Sequence, residues 1–248
     1  MPATPLPRAL RTGLLVSGVV LGVNLLAAAL IGVGVGDPDM LDLVRTVLMW
    51  LLLPPIAVAL VLIGAHRHAT GRWHLAAIVL CALGDGLGAS TGLTIVLLAL
   101  FLLGHIAYLF ALWPSRRRSL AWGPAAIGYA AVALIAGTVI AVNADALAIP
   151  VLLYSLVLAA VAVFAAIDTA GFLGGLLFLA SDLVLGLGLF VLDIPDPLRT
   201  FTVLIPYVGA QALLAVSLQQ RLGLSEPTAT APLPSTAART TSGYYKTD

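Results

Sequence analysis

The sequence predicts an all-α fold, a polytopic membrane bundle of eight transmembrane helices with both termini cytoplasmic. Three observations lead there. Of 248 residues, 61% are hydrophobic and only 9% charged, with a mean hydropathy of +1.10, whereas a soluble domain carries about 25% charged residues. Eight apolar stretches match the roughly 20 residues that a spanning helix needs. The basic residues also fall to one side if those eight stretches alternate in direction, as the positive-inside rule requires.

Taken in order, the predicted spans are residues 13–35, 43–64, 73–90, 92–113, 122–142, 147–167, 170–192 and 200–219. The first follows a basic start, Arg8 and Arg11, as a signal peptide would. Its apolar part is longer than the roughly 7 to 15 residues of a signal-peptide core, so it reads as a retained helix. The third is the shortest and joins the fourth through a tight turn at Ser90, Thr91 and Gly92. No long repeat, nucleotide motif or soluble domain interrupts the series, and residues 1–220 read as one transmembrane domain. Residues 221–248, rich in Pro, Ser, Thr and Ala, read as a disordered cytoplasmic tail.

Orientation follows from charge. Arg8, Arg11, Arg67, Arg72, Arg116, Arg117, Arg118, Arg221, Arg239 and Lys246 fall on one side, and only Arg45 and Arg199 on the other. Trp73, Trp113 and Trp122 fall at the basic interface as aromatic anchors, while Asp37, Asp39, Asp42, Asp145, Asp193 and Asp196 collect on the opposite side. An odd number of spans would scramble this separation. The net charge of +1 makes no electrostatic case for a nucleic-acid partner. Cys81 is the single cysteine and lies in an apolar run, so neither a disulfide framework nor a cysteine metal site is available.

Against this apolar background a few polar side chains stand out at membrane depth: Asp85, His105, Asp182 and Gln211, with Tyr108, Tyr154, Ser181 and Tyr207 as weaker companions. Intramembrane ionisable residues are costly and are functional candidates by default. Asp182 and Gln211 lie near the midplane of their spans, counting 1.5 Å per residue. Helical spacing puts Phe178, Ser181, Asp182 and Leu185 on one face, Tyr207 and Gln211 on another, and Phe101, His105 and Tyr108 on a third. Gly84 and Gly88 flank Asp85, and Gly171 and Gly175 precede Asp182 at the spacing that lets helix backbones approach closely. Both aspartate helices are therefore expected to face other helices. Asn24, with Gly18 and Gly22, reads as helix packing. His66, His68 and His74 could be imagined as zinc ligands, but they fall in a short basic stretch without Cys or carboxylate, which reads as topological anchoring.

In chain order the intramembrane elements are ALGDGLG, FLLGHIAYLF, VLLYSLVLA, GGLLFLASDLVLGLGLF and PYVGAQALL. This series resembles the YhhN-like lysoplasmalogenase family of eight-helix membrane proteins. That family carries a Gly-Asp on its third helix, a Gly-His-x-x-Tyr on the fourth, a Tyr on the sixth, a Phe-x-x-Ser-Asp on the seventh and a Tyr-x-x-x-Gln on the eighth. The matching positions are Gly84 and Asp85, then Gly104, His105 and Tyr108, then Tyr154, then Phe178, Ser181 and Asp182, then Tyr207 and Gln211. One departure is Leu53 before Pro54, where relatives often carry Lys.

The resemblance implies hydrolysis, in the cell membrane, of the vinyl ether bond of a lysophospholipid, giving a fatty aldehyde and a glycerophospho-base. It implies Asp85, Asp182 and His105 as catalytic residues, and Tyr108, Tyr154, Ser181, Tyr207 and Gln211 as substrate-binding ones. Neither a metal nor another cofactor is required, because two carboxylates enclosed in low-dielectric surroundings can hold one proton between them at neutral pH. One then acts as acid, and the other stabilises the developing cation and activates water. Two other classes are compatible with the same polar residues: a proton-coupled transporter of a small or lipid-like solute, against which no inverted repeat is evident, and a lipid-binding assembly protein.

Overall fold

The computed structural model describes residues 5–225, and every element among them is helical. Nine α-helices are present: α1 (Arg8–Gly32), α2 (Pro38–Leu51), α3 (Pro54–Leu62), α4 (Ala69–Thr91), α5 (Thr94–Leu112), α6 (Pro124–Ala141), α7 (Ala148–Ala165), α8 (Thr169–Phe190) and α9 (Asp196–Leu222). They make eight segments long and apolar enough to cross a membrane, because α2 and α3 together form one segment, Pro38–Leu62.

That second segment is the main departure from the expected series. Hydropathy reads residues 43–64 as a single helix, but Pro54 and Pro55 have no backbone N–H to give to Trp50 and Leu51, and a proline ring clashes with the preceding turn. The helix therefore stops at Leu51 and restarts at Pro54, with Leu52 and Leu53 buried between the halves. The third expected span lengthens instead, since α4 begins at Ala69 and includes Arg72 and His74. α9 runs to Leu222, two residues into the expected tail. Residues 226–248 of that tail lie outside the described residues.

Local chemistry punctuates the bundle. Asp37 caps α2 by accepting from the Asp39 N–H at 3.0 Å, and Asp168 caps α8 by accepting from the Gly171 N–H at 2.7 Å, as short polar side chains do at helix starts. Gly92, at φ +66°, allows the abrupt turn from α4 into α5. The connection from α5 to α6 is tied to the end of α7, where the Ser119 hydroxyl donates to the Val163 carbonyl at 2.5 Å and the Leu120 N–H to Ala166 at 2.9 Å.

Neighbouring helices pack as antiparallel hairpins, α4 with α5, α6 with α7, and α8 with α9, while α1 lies against α2, α3 and α9. Glycines set the closest approaches. A Cβ on Gly175 would lie 2.9 Å from the Cα of Ala162 on α7, and one on Gly104 would lie 2.8 Å from the Cys81 sulfur on α4. Gly84 and Gly88 meet Phe101 and Leu97 of α5 in the same way, so the glycines around Asp85 and before Asp182 pack helices as expected.

The Gly18 and Gly22 pair does not. α1 turns Leu10, Gly13, Ser17 and Asn24 inward, and Gly18 and Gly22 face outward into open space. Asn24 does join helices, through a 3.3 Å bond from its side-chain amide to the Arg45 carbonyl on α2.

These two glycine sites make a paired prediction. Gly175→Val places a branched side chain against the α7 backbone and should lower stability by about 1–3 kcal/mol. Gly18→Ala should leave it unchanged or slightly raised. Thermal denaturation of the purified protein in detergent measures both, and equal losses would refute the packing assignment.

Candidate active site

Asp182 on α8 is the centre of the polar interior. Its Oδ2 accepts a hydrogen bond from the Tyr154 hydroxyl on α7 and lies 3.4 Å from Nε2 of His105 on α5. The His105 and Asp182 side chains are each 1% exposed. His105 Nδ1 lies 2.7 Å from the carbonyl of Phe101, one turn back on its own helix. A carbonyl only accepts, so Nδ1 carries the hydrogen and a neutral ring presents the Nε2 lone pair. That lone pair has no other partner and points at a carboxylate oxygen. Two unprotonated acceptors facing each other in an apolar bundle would repel. One proton between His105 and Asp182 turns that repulsion into a charge-assisted contact.

Asp85 on α4 belongs to a second group. Its Oδ2 accepts from the Tyr207 hydroxyl on α9 at 2.8 Å. One turn along α9, Gln211 accepts through Oε1 from the Tyr108 hydroxyl on α5. Between the two groups stands the Phe178 ring, fully buried, with its centroid 4.6 Å from His105, 5.8 Å from Tyr207 and 6.0 Å from Tyr108. The Phe101 ring stacks on Tyr207 at 5.6 Å. Each of the two carboxylates has its own tyrosine. The residues singled out from sequence thus converge on one interior region, with Tyr154, Asp182 and His105 in one set and the Asp85–Tyr207 and Tyr108–Gln211 pairs in the other.

A cavity of about 270 Å³ adjoins the first set. Its walls come from α5, α6, α7 and α8 and are hydrocarbon except at Tyr154, Ser155 and Asp182. Asp182 Oδ1 is buried without a protein partner. Of the eight residues expected at the site, Tyr154 and Asp182 line this cavity, while His105, Asp85, Tyr108, Tyr207, Gln211 and Ser181 do not. Ser181 bonds to the neighbouring helix. Its hydroxyl donates to the Val203 carbonyl of α9 at 3.0 Å, one residue beyond the Thr202 carbonyl that Pro206 deprives of its helical donor.

Sequence reasoning grouped His74 with His66 and His68 in a basic loop. The structure separates them: His66 and His68 are exposed, whereas His74 is 1% exposed on α4, edge-on to the Tyr108 ring at 4.9 Å, with neither ring nitrogen bonded. A residue count into α4 is the signal that would have distinguished it. Among the described residues no group of three or more His, Cys, Asp or Glu side chains is arranged to hold a metal ion.

A family model, described as the YhhN family, matches residues 42–218. The chain belongs to the YhhN family. The match runs from α2 into the last turns of α9, so it takes in both hydrogen-bonded sets and every cavity residue. No curated protein and no solved structure matches the chain.

The facing His105 and Asp182 atoms predict that this YhhN protein holds one proton in the pair at neutral pH. Infrared spectra should then show a protonated-carboxyl stretch that Asp182→Asn removes, or nitrogen NMR should show an imidazolium that His105→Gln removes. Finding neither signal in the native protein would refute the shared proton.

Proposed function

We propose that this protein is an integral membrane hydrolase that cleaves the vinyl ether bond of lysoplasmalogens, with both termini in the cytoplasm of a cell whose membrane it spans. The observation that carries the reading is Asp182, which joins Tyr154 and His105 on one side and the wall of a hydrocarbon-lined cavity on the other. Membership in the YhhN family agrees with it. An apolar cavity of this kind suits an alkenyl chain, and its polar edge suits the ether at the end of that chain.

A vinyl ether resists hydroxide and reacts by protonation. In the proposed sequence Asp182 delivers its proton to the alkene carbon distal to the ether oxygen, the carbon–carbon π bond supplying the electron pair. The carbon attached to oxygen becomes an oxocarbenium ion, and the newly formed Asp182 carboxylate stabilises it in a low-dielectric setting. Water adds to that carbon and returns a proton to Asp182, giving a hemiacetal. The hemiacetal collapses as its hydroxyl proton passes to the glycerol oxygen and the bond between that oxygen and the former alkene carbon breaks. The products are a fatty aldehyde and a glycerophospho-base, and the net consumption is one water.

Within this scheme His105 shares and orients the proton, and Tyr154 holds the carboxyl in one rotamer. Asp85, held by Tyr207, contributes negative potential that favours the cation. Tyr108, Gln211 and Ser181 act as positioning residues that brace the helices around the two acids, a reassignment from the substrate-contacting role expected from the family pattern.

The test is direct incubation of the purified protein in detergent with lysoplasmenyl-ethanolamine, measuring aldehyde release. Asp182→Asn should lower kcat by on the order of 10²- to 10⁴-fold, the usual worth of a positioned acid, and Asp85→Asn by less. No aldehyde from the native protein would end the vinyl ether reading, and proton flux in liposomes without hydrolysis would favour a transporter. Full activity in Asp182→Asn would remove the acid assigned here.

A further inference from the structure

A second cavity, of about 320 Å³, lies at the face of the bundle that carries the α1–α2, α4–α5 and α8–α9 connections. Unlike the first it carries charge, with Asn24, Asp42, Arg45, Asp196, Arg199 and Thr200 among the apolar residues of its walls. Arg45 is its innermost charge. Its side chain is 17% exposed, and its two terminal nitrogens reach Asp196 Oδ2 at 2.7 Å and the Thr200 hydroxyl at 2.8 Å. Arg199 holds the other Asp196 oxygen at 3.2 Å. Asp42, 72% exposed, stands 3.8 Å from Arg45 at the mouth.

Two features separate this arrangement from an ordinary ion-pair network. The first is incompleteness: the Arg45 Nε and the Asn24 Oδ1 are both buried and have no partner, although Asn24 is 1% exposed. Buried donors and acceptors left open in this way mark a place where something else supplies the bond. The second is proximity: Leu185 lines both this cavity and the hydrocarbon one. It lies three residues beyond Asp182 on α8, a rise of about 4.5 Å on the same face. A charged compartment and an apolar one therefore share a wall within a turn of the acid.

Resting on the lysolipid reading above, we infer that this second cavity receives a zwitterionic phospho-amine head group, its phosphate on Arg45 and Arg199 and its amine toward Asp42 and Asp196. Two guanidiniums and two carboxylates match the two charges of such a group, and planar guanidinium forks suit a phosphodiester. With the chain in the first cavity and the phosphate in the second, the vinyl ether falls beside Asp182. Asn24 Oδ1, an acceptor, meets a glycerol hydroxyl or the ammonium. Leu53 is not needed for charge recognition in this scheme, because the cation comes from elsewhere on the same broken span.

The experiment uses the full-length protein in detergent and two readouts. In the first, thermal stabilisation is measured with acyl lysophosphatidylethanolamine, which has the head group but no vinyl ether, and with a chain-matched monoacylglycerol. The native protein should bind the phospholipid on the order of tenfold to a hundredfold more tightly, the worth of one or two hydrogen bonds to a charged group, and Arg45→Gln should remove the difference. In the second, aldehyde release from lysoplasmenyl-ethanolamine is compared with release from the matching alkenylglycerol. Arg45→Gln should raise KM for the phospholipid with little change in kcat, and leave the alkenylglycerol unaffected.

Equal binding of the two lipids by the native protein overturns the head-group site without any variant, so a variant that fails to fold does not shield it. Equal losses on both substrates in Arg45→Gln and Arg199→Gln assign the arginines to structure and also overturn it. Inorganic phosphate stabilising the native protein as well as the lysophospholipid does would reduce the cavity to a phosphate site and refute recognition of the amine. Selective binding with no aldehyde from either lipid would leave the head-group site standing and remove the hydrolase.

Discussion

The contact that organises this molecule is the approach of a histidine lone pair to a carboxylate inside an apolar bundle. Such a pair is costly to bury, and it persists only where packing holds its members and a proton offsets their repulsion. Three helices converge to make it, with His105 from α5, Asp182 from α8 and the Tyr154 hydroxyl from α7. The small residues of those helices follow from the same need. Gly175 brings α8 against the α7 backbone and Gly104 brings α5 against α4, close enough for short polar side chains to reach across.

A second level of order comes from the aromatic rings. Phe178 stands between His105 on one side and Tyr207 and Tyr108 on the other, so the two aspartates are kept in distinct surroundings with distinct hydrogen-bond donors. Carboxylates in unlike settings can hold unlike protonation states, which is how one fold assigns acid and base roles to chemically identical groups. The hydrocarbon cavity touches only the Asp182 side of this divide.

Much of this was legible in the sequence because a membrane makes polar residues conspicuous. Asp85, His105, Asp182 and Gln211 stand out against Leu, Val and Ala, and the helical period already put Tyr207 beside Gln211 and His105 beside Tyr108. What could not be read has physical reasons. A window of mean hydropathy passes over Pro54 and Pro55 although they end a helix, since proline's effect is on hydrogen bonding rather than on polarity. The spacing of Gly18 and Gly22 is that of a packing motif, but which face of α1 turns inward depends on Gly13, Ser17 and Asn24 together. Arg45 entered only as one of two basic residues on the sparsely basic side, because its partners Asp196 and Thr200 lie at sequence separations of 151 and 155. The hydroxyl of Ser181 was counted with the site, and only the path of α9 past Pro206 reveals the carbonyl that it holds.

The arrangement around His105 has a consequence for how rigidly the pair is held. Its Nδ1 hydrogen closes on the Phe101 carbonyl of its own helix, and the bonds of Asp182 end at Tyr154. No chain of bonded side chains among the described residues leads from this pair to either face of the bundle. The hydrogen bonds of the pair close inside the bundle, one on the helix of His105 itself and the other on α7. Turning either the ring or the carboxyl would break a bond of its own, so the two atoms that face each other are held in place from behind.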